Sequence, residues 1–121
     1  MKNYFLIFIG GGAGSLLRFF ISKWFNPLLT AIPLGTLFSN VLSSFMLGFA
    51  LGILQFKYPD NSYITPLLIT GVCGGFSTFS TFSNETLILL RTDQYILGLS
   101  NILLNVILCL IFIAFGMKLA R

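Results

Sequence analysis

Four long stretches of this chain are too poor in charged residues for a soluble fold. They cover about residues 3–24, 33–56, 63–90 and 94–117, and the links between them are short. An α-helix needs about 20 apolar residues to cross about 30 Å of hydrocarbon, and each stretch is long enough to do so. The pattern predicts an all-α membrane protein, with a single domain of four transmembrane helices in a compact antiparallel bundle.

The composition agrees with this class and argues against two others. Charged residues make up 8% of the 121 positions, against about 25% in soluble domains, and the mean hydropathy is +0.95. The net charge of +4 comes from basic residues that are scattered singly, so we expect the lipid bilayer as a partner and no nucleic acid. Histidine is absent and no nucleophile–base pair is visible, so we expect the protein not to be an enzyme.

Residues 71–82, which read GVCGGFSTFSTF, interrupt the third stretch. Their three glycines weaken a helix, since each costs about 1 kcal/mol relative to alanine in a helix interior. The hydroxyls of Ser77 and Thr78 are of the kind that cap a new helix start. We therefore predict a helix that is broken in mid-membrane near 74–77. Irregular backbone at that depth is tolerated only beside protein or a water-filled cavity, and in transporters it marks ion or substrate sites.

Two aromatic residues, Phe79 and Phe82, are predicted on the first turns after this break. They are three positions apart and therefore share one side of the helix, while a polar side carries Ser77, Thr81 and Asn84, with Ser80 at its margin. Phenylalanines at this spacing are often core residues. Their place after the break also suits an anion site, because the edge of an aromatic ring carries positive potential and a helix start favours anions.

The second and fourth stretches contain polar residues at membrane depth. One side of the second helix is predicted to be polar, with Thr36, Asn40, Ser43 and Ser44 on it. Such side chains either form hydrogen bonds with a neighbouring helix or line a path through the membrane, and a stripe of four favours the path. Asn101 and Asn105 in the fourth stretch carry the same two alternatives, between which the sequence does not decide.

Two ionisable side chains lie inside the predicted spans, and each has two interpretations. Arg18 either extends its head to the membrane interface or lies at a pore mouth, where it would attract anions. Glu85 is either a solvated or arginine-paired carboxylate near the interface, or part of a site. Cys73 and Cys109 are interpreted as small packing residues.

The orientation of the chain in the membrane is weakly specified. Four spans place both termini on one side, which would hold the basic residues Lys2, Lys57, Lys118 and Arg121. The opposite side would hold Arg18, Lys23 and Arg91. Because the excess of Lys and Arg orients a membrane protein, this small difference permits insertion both ways up, followed by pairing of two oppositely oriented copies. Insertion in a single orientation is the alternative.

Three motifs in order along the chain resemble the small dual-topology fluoride channels, the Fluc family, also called CrcB. They read GGGAGSLLRFF, PLGTLFSNVLSSFMLG and GVCGGFSTFSTF. The resemblance implies an antiparallel homodimer with two pores, which exports fluoride passively and lowers its cytoplasmic level. It implies that Asn40, Phe79 and Phe82 line the fluoride path, that Ser80 and Thr81 belong to its polar surroundings, and that Arg18 lies toward the vestibule.

The resemblance also implies a structural sodium ion at the dimer centre, held by backbone carbonyls of Gly74 and Ser77. It implies a multi-pass protein of the bacterial inner membrane. The chain departs from the family at two of these positions. Ser77 stands where the family often has threonine, which matters little to a backbone ligand, and Ser43 stands where it often has glycine, which alters local packing.

A small multidrug-type, proton-coupled cation exporter is the alternative function. It would also have four spans and an antiparallel dimer. Such an exporter needs a carboxylate deep in the membrane, and Glu85 is the only acidic residue inside a predicted span. The first span has none, which argues against the exporter.

Overall fold

The computed structural model describes residues 1–25 and 32–121, and the described part of the chain is helical. Helix α1 spans Lys2–Phe25 and α2 spans Leu34–Phe56. Helix α3 begins as a π-helical segment, Thr65–Cys73, and ends with the single α-helical turn Gly74–Phe76. Helices α4 and α5 follow at Phe79–Arg91 and Tyr95–Leu119.

Helices α1, α2 and α5 are each long and apolar enough to cross a membrane, and α3 and α4 together form an interrupted third segment. The prediction of an all-helical, multi-pass membrane protein is therefore confirmed, and its third helix is broken as expected. A helix end does not mark where the hydrocarbon begins, so the boundaries of the four spans and the single-domain description stay predictions. The first predicted link, at 25–32, lies mostly outside the described residues.

Glycines bring α1 and α3 into backbone contact. A Cβ atom added to Gly10 would collide with the carbonyl oxygen of Leu67, and one added to Gly14 would collide with that of Val72. On the other side of the same contact, a Cβ at Gly75 would collide with the carbonyl oxygen of Gly11. Small residues at this spacing allow membrane helices to approach closely, so the first half of the broken helix is fixed against α1.

Helices α2 and α5 approach each other in the same way. A Cβ at Gly48 would meet the backbone of Ile113, and one at Gly116 would meet the backbone of Phe45 and Phe49. Most buried residues in the described part of the chain are small or polar, and Phe76 is the largest fully buried side chain there. Most other large apolar side chains are exposed, which suits a surface that faces lipid.

Candidate functional site

The chain leaves helical geometry between α3 and α4. Ser77 has φ −73° and ψ 155°, and Thr78 has φ −149° and ψ 113°, so both are extended. The hydroxyl oxygen Oγ1 of Thr78 accepts a hydrogen bond from the Thr81 N–H at 3.2 Å. The new helix is therefore capped as predicted, and of the two candidate residues it is Thr78 that supplies the cap.

Asn40 of α2 binds the backbone at this break. Its Oδ1 accepts a hydrogen bond from the N–H of Thr78 at 2.8 Å, which satisfies a donor that the interrupted helix leaves free. Its Nδ2 donates to Oδ1 of Asn105 at 3.0 Å. Asn40 thus forms hydrogen bonds with α5 and with the break, which is one of the two roles that the sequence allowed.

The two asparagines of α5 continue these hydrogen bonds. Nδ2 of Asn105 donates to the backbone carbonyl oxygen of Asn101 at 3.0 Å and to its Oδ1 at 3.1 Å. Nδ2 of Asn101 donates to Oγ1 of Thr86 at 2.9 Å. Both asparagines are buried, so α5 is joined through side chains to both α2 and α4.

The other polar residues of α2 contact the broken helix on either side of the break. The Ser43 hydroxyl donates to the backbone carbonyl of Cys73 at 2.9 Å, and the Thr36 hydroxyl donates to Oε1 of Glu85 at 2.7 Å. Glu85 is half-buried, and its Oε2 has no hydrogen-bond partner among the described residues. The Thr36 hydroxyl thus holds one carboxylate oxygen of Glu85, and both interpretations of Glu85 stay predictions.

Phe79 and Phe82 form a ring pair on the first turn of α4. Their centroids are 5.6 Å apart and the planes are inclined by 49°. Phe79 is 80% exposed, so it is not a core residue of the single chain, whereas Phe82 is partly covered. The polar residues between them differ in the same way, since Ser80 is exposed and Thr81 is half-buried.

A cavity of about 340 Å³ lies between α1 and the break. Arg18 lines it together with Ser15, Phe19, Ser22, Thr78 and Thr81. The Arg18 Nε atom is buried and has no hydrogen-bond partner among the described residues. The structure therefore brings Arg18 to the same space as the residues of the break, where a cation raises the local concentration of anions.

Gly74 and Ser77 have the backbone groups that a cation would need. In a continuous helix the Gly74 carbonyl would accept from the Thr78 N–H, but that N–H donates to Asn40 instead. The Ser77 carbonyl likewise loses the Thr81 N–H, which donates to Thr78 Oγ1. Both residues are exposed, and they line a second cavity of about 240 Å³ together with Ser43, Ser44, Leu47, Ile69 and Cys73. Two carbonyl oxygens released from the helix ladder fit the ligand chemistry of sodium at unwound helices.

Comparison of the sequence with known proteins shows which family this chain belongs to. The model of the family described as "CrcB-like protein, Camphor Resistance (CrcB)" matches residues 5–117. The chain belongs to the CrcB family. A relative in Pyrococcus abyssi, named "Fluoride-specific ion channel FluC", is 44% identical over 121 residues, covering 100% of this chain and 98% of the relative. A protein of the same name in Elusimicrobium minutum is 41% identical and covers 100% of this chain and 95% of its own length.

A third relative, from Escherichia fergusonii, carries the same name. It is 45% identical over 105 residues, which are 84% of this chain and 80% of the relative. The resemblance read from three motifs is thus confirmed over nearly the whole length. The individual residues assigned to a path, a vestibule or a metal remain predictions.

Some residues of the site were not identified from the sequence. Thr86 was given no role, although it receives the hydrogen bond from Asn101. The roles of Asn101 and Asn105 were left open, yet their spacing of four residues did place them on one helical face. Only the packing of α5 against α2 shows which partner each of them meets.

Proposed function

We propose that this chain is a fluoride-selective channel, which lets fluoride leave the cell passively and so lowers its cytoplasmic level. The full-length match to relatives named as fluoride-specific ion channels supports this proposal most strongly. A passive channel needs no enzymatic step. It is also favoured over a proton-coupled cation exporter, since the first predicted span has no acidic residue.

The chemistry of the break suits this anion. Fluoride is small and strongly hydrated, so a narrow pore has to replace its water with hydrogen-bond donors. The Asn40 amide, the hydroxyls of Ser80 and Thr81, and the edges of Phe79 and Phe82 supply positive potential without a fixed cation. Conduction requires binding that is strong enough for entry and weak enough for release, and a row of neutral donors meets both conditions.

Two chains in opposite orientations would complete the site. Gly74, Ser77 and Ser80 are exposed on one protomer, and Phe79 is 80% exposed beside them. Irregular backbone with freed polar groups is not stable against lipid, so another protein surface should cover this face. An antiparallel homodimer does so with a second copy of the same face and yields two pores, one on each side of the shared axis.

A sodium ion would lie at the centre of that dimer. The carbonyls of Gly74 and Ser77 would hold it, with the two chains each contributing their pair. The ion would neutralise the facing carbonyl dipoles and fix the two breaks against each other. We expect the dimer in the cell membrane, which in a bacterium is the inner membrane.

Fluoride efflux from liposomes tests the function. Purified protein in liposomes loaded with fluoride should release the ion rapidly, whereas liposomes loaded with chloride should release little. Empty liposomes measure the leak. Absence of fluoride release by a folded, membrane-inserted protein would reject the channel, and proton-linked release of an organic cation would support the exporter instead.

The orientation of the chain is tested separately from the flux. Because the basic residues are so evenly divided, a reporter fused after Arg121 should give signal on both faces of the membrane. Adding three lysines at the C-terminus is the control, because this should bias the reporter to the cytoplasmic face. Signal on one face alone from the unaltered chain would exclude dual topology.

A further inference from the structure

The side-chain amides around the break form a single row with a fixed direction. The backbone N–H of Thr78 donates to Oδ1 of Asn40 at 2.8 Å. Nδ2 of Asn40 then donates to Oδ1 of Asn105 at 3.0 Å, and Nδ2 of Asn105 donates to the carbonyl oxygen of Asn101 at 3.0 Å. Each amide accepts on one side and donates on the other.

Backbone groups fix this direction at both ends. The Thr78 N–H is only a donor and the Asn101 carbonyl is only an acceptor. Asn40 therefore has to present its oxygen to Thr78 and its nitrogen to Asn105. Asn105 in turn has to present its oxygen to Asn40, because its nitrogen is required at Asn101. Neither amide can be rotated by 180° without placing two donors or two acceptors together.

The row is also tied to the body of α4. Nδ2 of Asn101 donates to Oγ1 of Thr86 at 2.9 Å, and the Thr86 hydroxyl donates to the carbonyl of Phe82 at 2.8 Å. The two asparagines of α5 are shielded from solvent, since Asn101 is 1% and Asn105 is 5% exposed. A buried amide that loses its partner is costly, so this orientation is stable.

We infer that Asn105 is a positioning residue, which holds the Asn40 amide in the one orientation that leaves its second N–H weakly bonded and available to an anion. An amide nitrogen carries two hydrogens, and Asn105 takes one of those on Asn40. The other donates to the Thr78 carbonyl oxygen at 3.5 Å, which is long for a hydrogen bond, so an anion could displace this acceptor. This inference rests on the proposed function, because the anion concerned is fluoride in the pore.

The test replaces Asn105 with the similarly sized, apolar leucine. Asn105→Leu leaves the Asn40 nitrogen without its acceptor, and we expect fluoride efflux from liposomes to fall by about tenfold. In an Asn40→Ser background the same replacement should cause no further loss, because the amide that it positions is already gone. Ser39→Ala is the matched control, since Ser39 is buried next to Asn40 and its Oγ has no partner among the described residues.

A second readout does not depend on fluoride flux. Hydrogen exchange at the Thr78 amide, measured by NMR in lipid nanodiscs, reports the bond to Asn40 Oδ1 directly. It should be about tenfold faster in Asn105→Leu than in the unaltered protein. If Asn105→Leu does not fold, Asn105→Ala leaves room for water at the same place and should show the same faster exchange.

The outcomes separate this inference from the proposed function. Unaltered protein that releases no fluoride rejects the channel, while the exchange rate at Thr78 still decides whether Asn105 holds Asn40. Unchanged exchange in the Asn105 variants overturns the inference. It is also overturned if Asn105→Leu lowers flux as much in the Asn40→Ser background as in the unaltered protein, because Asn105 would then act independently of the amide.

Discussion

Thr78 and Ser77 are neighbours in the same break, yet their surroundings are opposite. Thr78 is buried, and its N–H and hydroxyl are engaged by Asn40 and Thr81. Ser77 is exposed, and its hydroxyl turns back to the carbonyl of Cys73, 3.0 Å away. The Thr78 side of the break is completed by the chain itself, whereas the Ser77 side leaves its carbonyl and that of Gly74 without their helical donors.

This difference separates two tasks of the break. On the Thr78 side, α2 and α5 hold the irregular backbone in one conformation through Asn40 and Asn105. On the Ser77 side, the same irregularity presents free carbonyls and an exposed Phe79 to whatever lies beyond the protomer. Variants on the Thr78 side should therefore change the conformation and stability of the single chain. Variants on the Ser77 side should change how the chain binds a partner chain or an ion.

Asn40→Asp should have the largest effect on flux. The replacement places a negative charge at the Thr78 side of the break and sets a second oxygen against Oδ1 of Asn105. Repulsion between like charges in a poorly solvated pore should lower fluoride efflux at least about 100-fold. Unchanged efflux, measured in liposomes beside Ser39→Ala, would remove Asn40 from the path.

The adjacent glycines Gly74 and Gly75 allow the two sides to be compared with the same substitution, glycine to alanine. A Cβ at Gly75 would collide with the carbonyl of Gly11, while one at Gly74 meets nothing within 4 Å in the protomer. Gly75→Ala should therefore destabilise the folded chain by about 2 kcal/mol, and Gly74→Ala should leave that stability nearly unchanged.

Denaturant unfolding in detergent measures the stability of both variants, and cross-linking measures the dimer. We expect Gly74→Ala to weaken the dimer if a second copy covers this side. Equal unfolding free energies for Gly74→Ala and Gly75→Ala would contradict the assignment of one side to the protomer and the other to its partner.

The aromatic pair should have the next largest effect. Phe79→Ile and Phe82→Ile each remove a ring edge while keeping an apolar side chain, so fluoride efflux should fall by about tenfold, equivalent to roughly 1.4 kcal/mol, and the dimer should persist. Phe115→Ile is a control on α5, where the ring packs against Phe45 and Phe112. If both variants release fluoride as fast as the unaltered protein, the rings of Phe79 and Phe82 only contribute packing.

Replacing sodium by a large organic cation should have the smallest effect. Loss of an ion bound by the carbonyls of Gly74 and Ser77 should weaken the dimer by about 1 kcal/mol. This is the stabilisation expected from a ligand present at a few times its Kd. Dimer fraction against dilution, measured with sodium or with N-methylglucamine at equal ionic strength, gives this difference. Identical curves would argue against a structural sodium ion.

Much of the architecture was predictable because it depends on local or averaged properties. The membrane class follows from the scarcity of charge over four stretches of about 20 residues or more. The break was predicted near 74–77 from glycines next to capping hydroxyls. It lies at Ser77 and Thr78, so α4 begins at Phe79, close to the predicted place. The spacing of Gly10 and Gly14 permits a close helix contact, but it does not show that α3 is the partner.

The pairings within the site were less predictable. Helical periodicity placed Thr36, Asn40 and Ser43 on one side of α2, but it did not show that they would bond to Glu85, Thr78 and Cys73 respectively. A sequence pattern assigns a residue to a face of its own helix. The partner across the contact depends on the height and rotation of the neighbouring helix, which the glycines of several helices set together.

The sequence by itself therefore determined that the chain is a helical membrane protein, which family it belongs to and roughly where its third helix breaks. Each of these depends on residues that are close along the chain or on their summed hydropathy. Only the tertiary structure decided that Thr78 is enclosed by α2 and α5 while Ser77 and Gly74 remain exposed. The physical reason is that an interrupted helix frees donors and acceptors on all its sides, and the packing of the other helices selects which of these groups find partners within the chain.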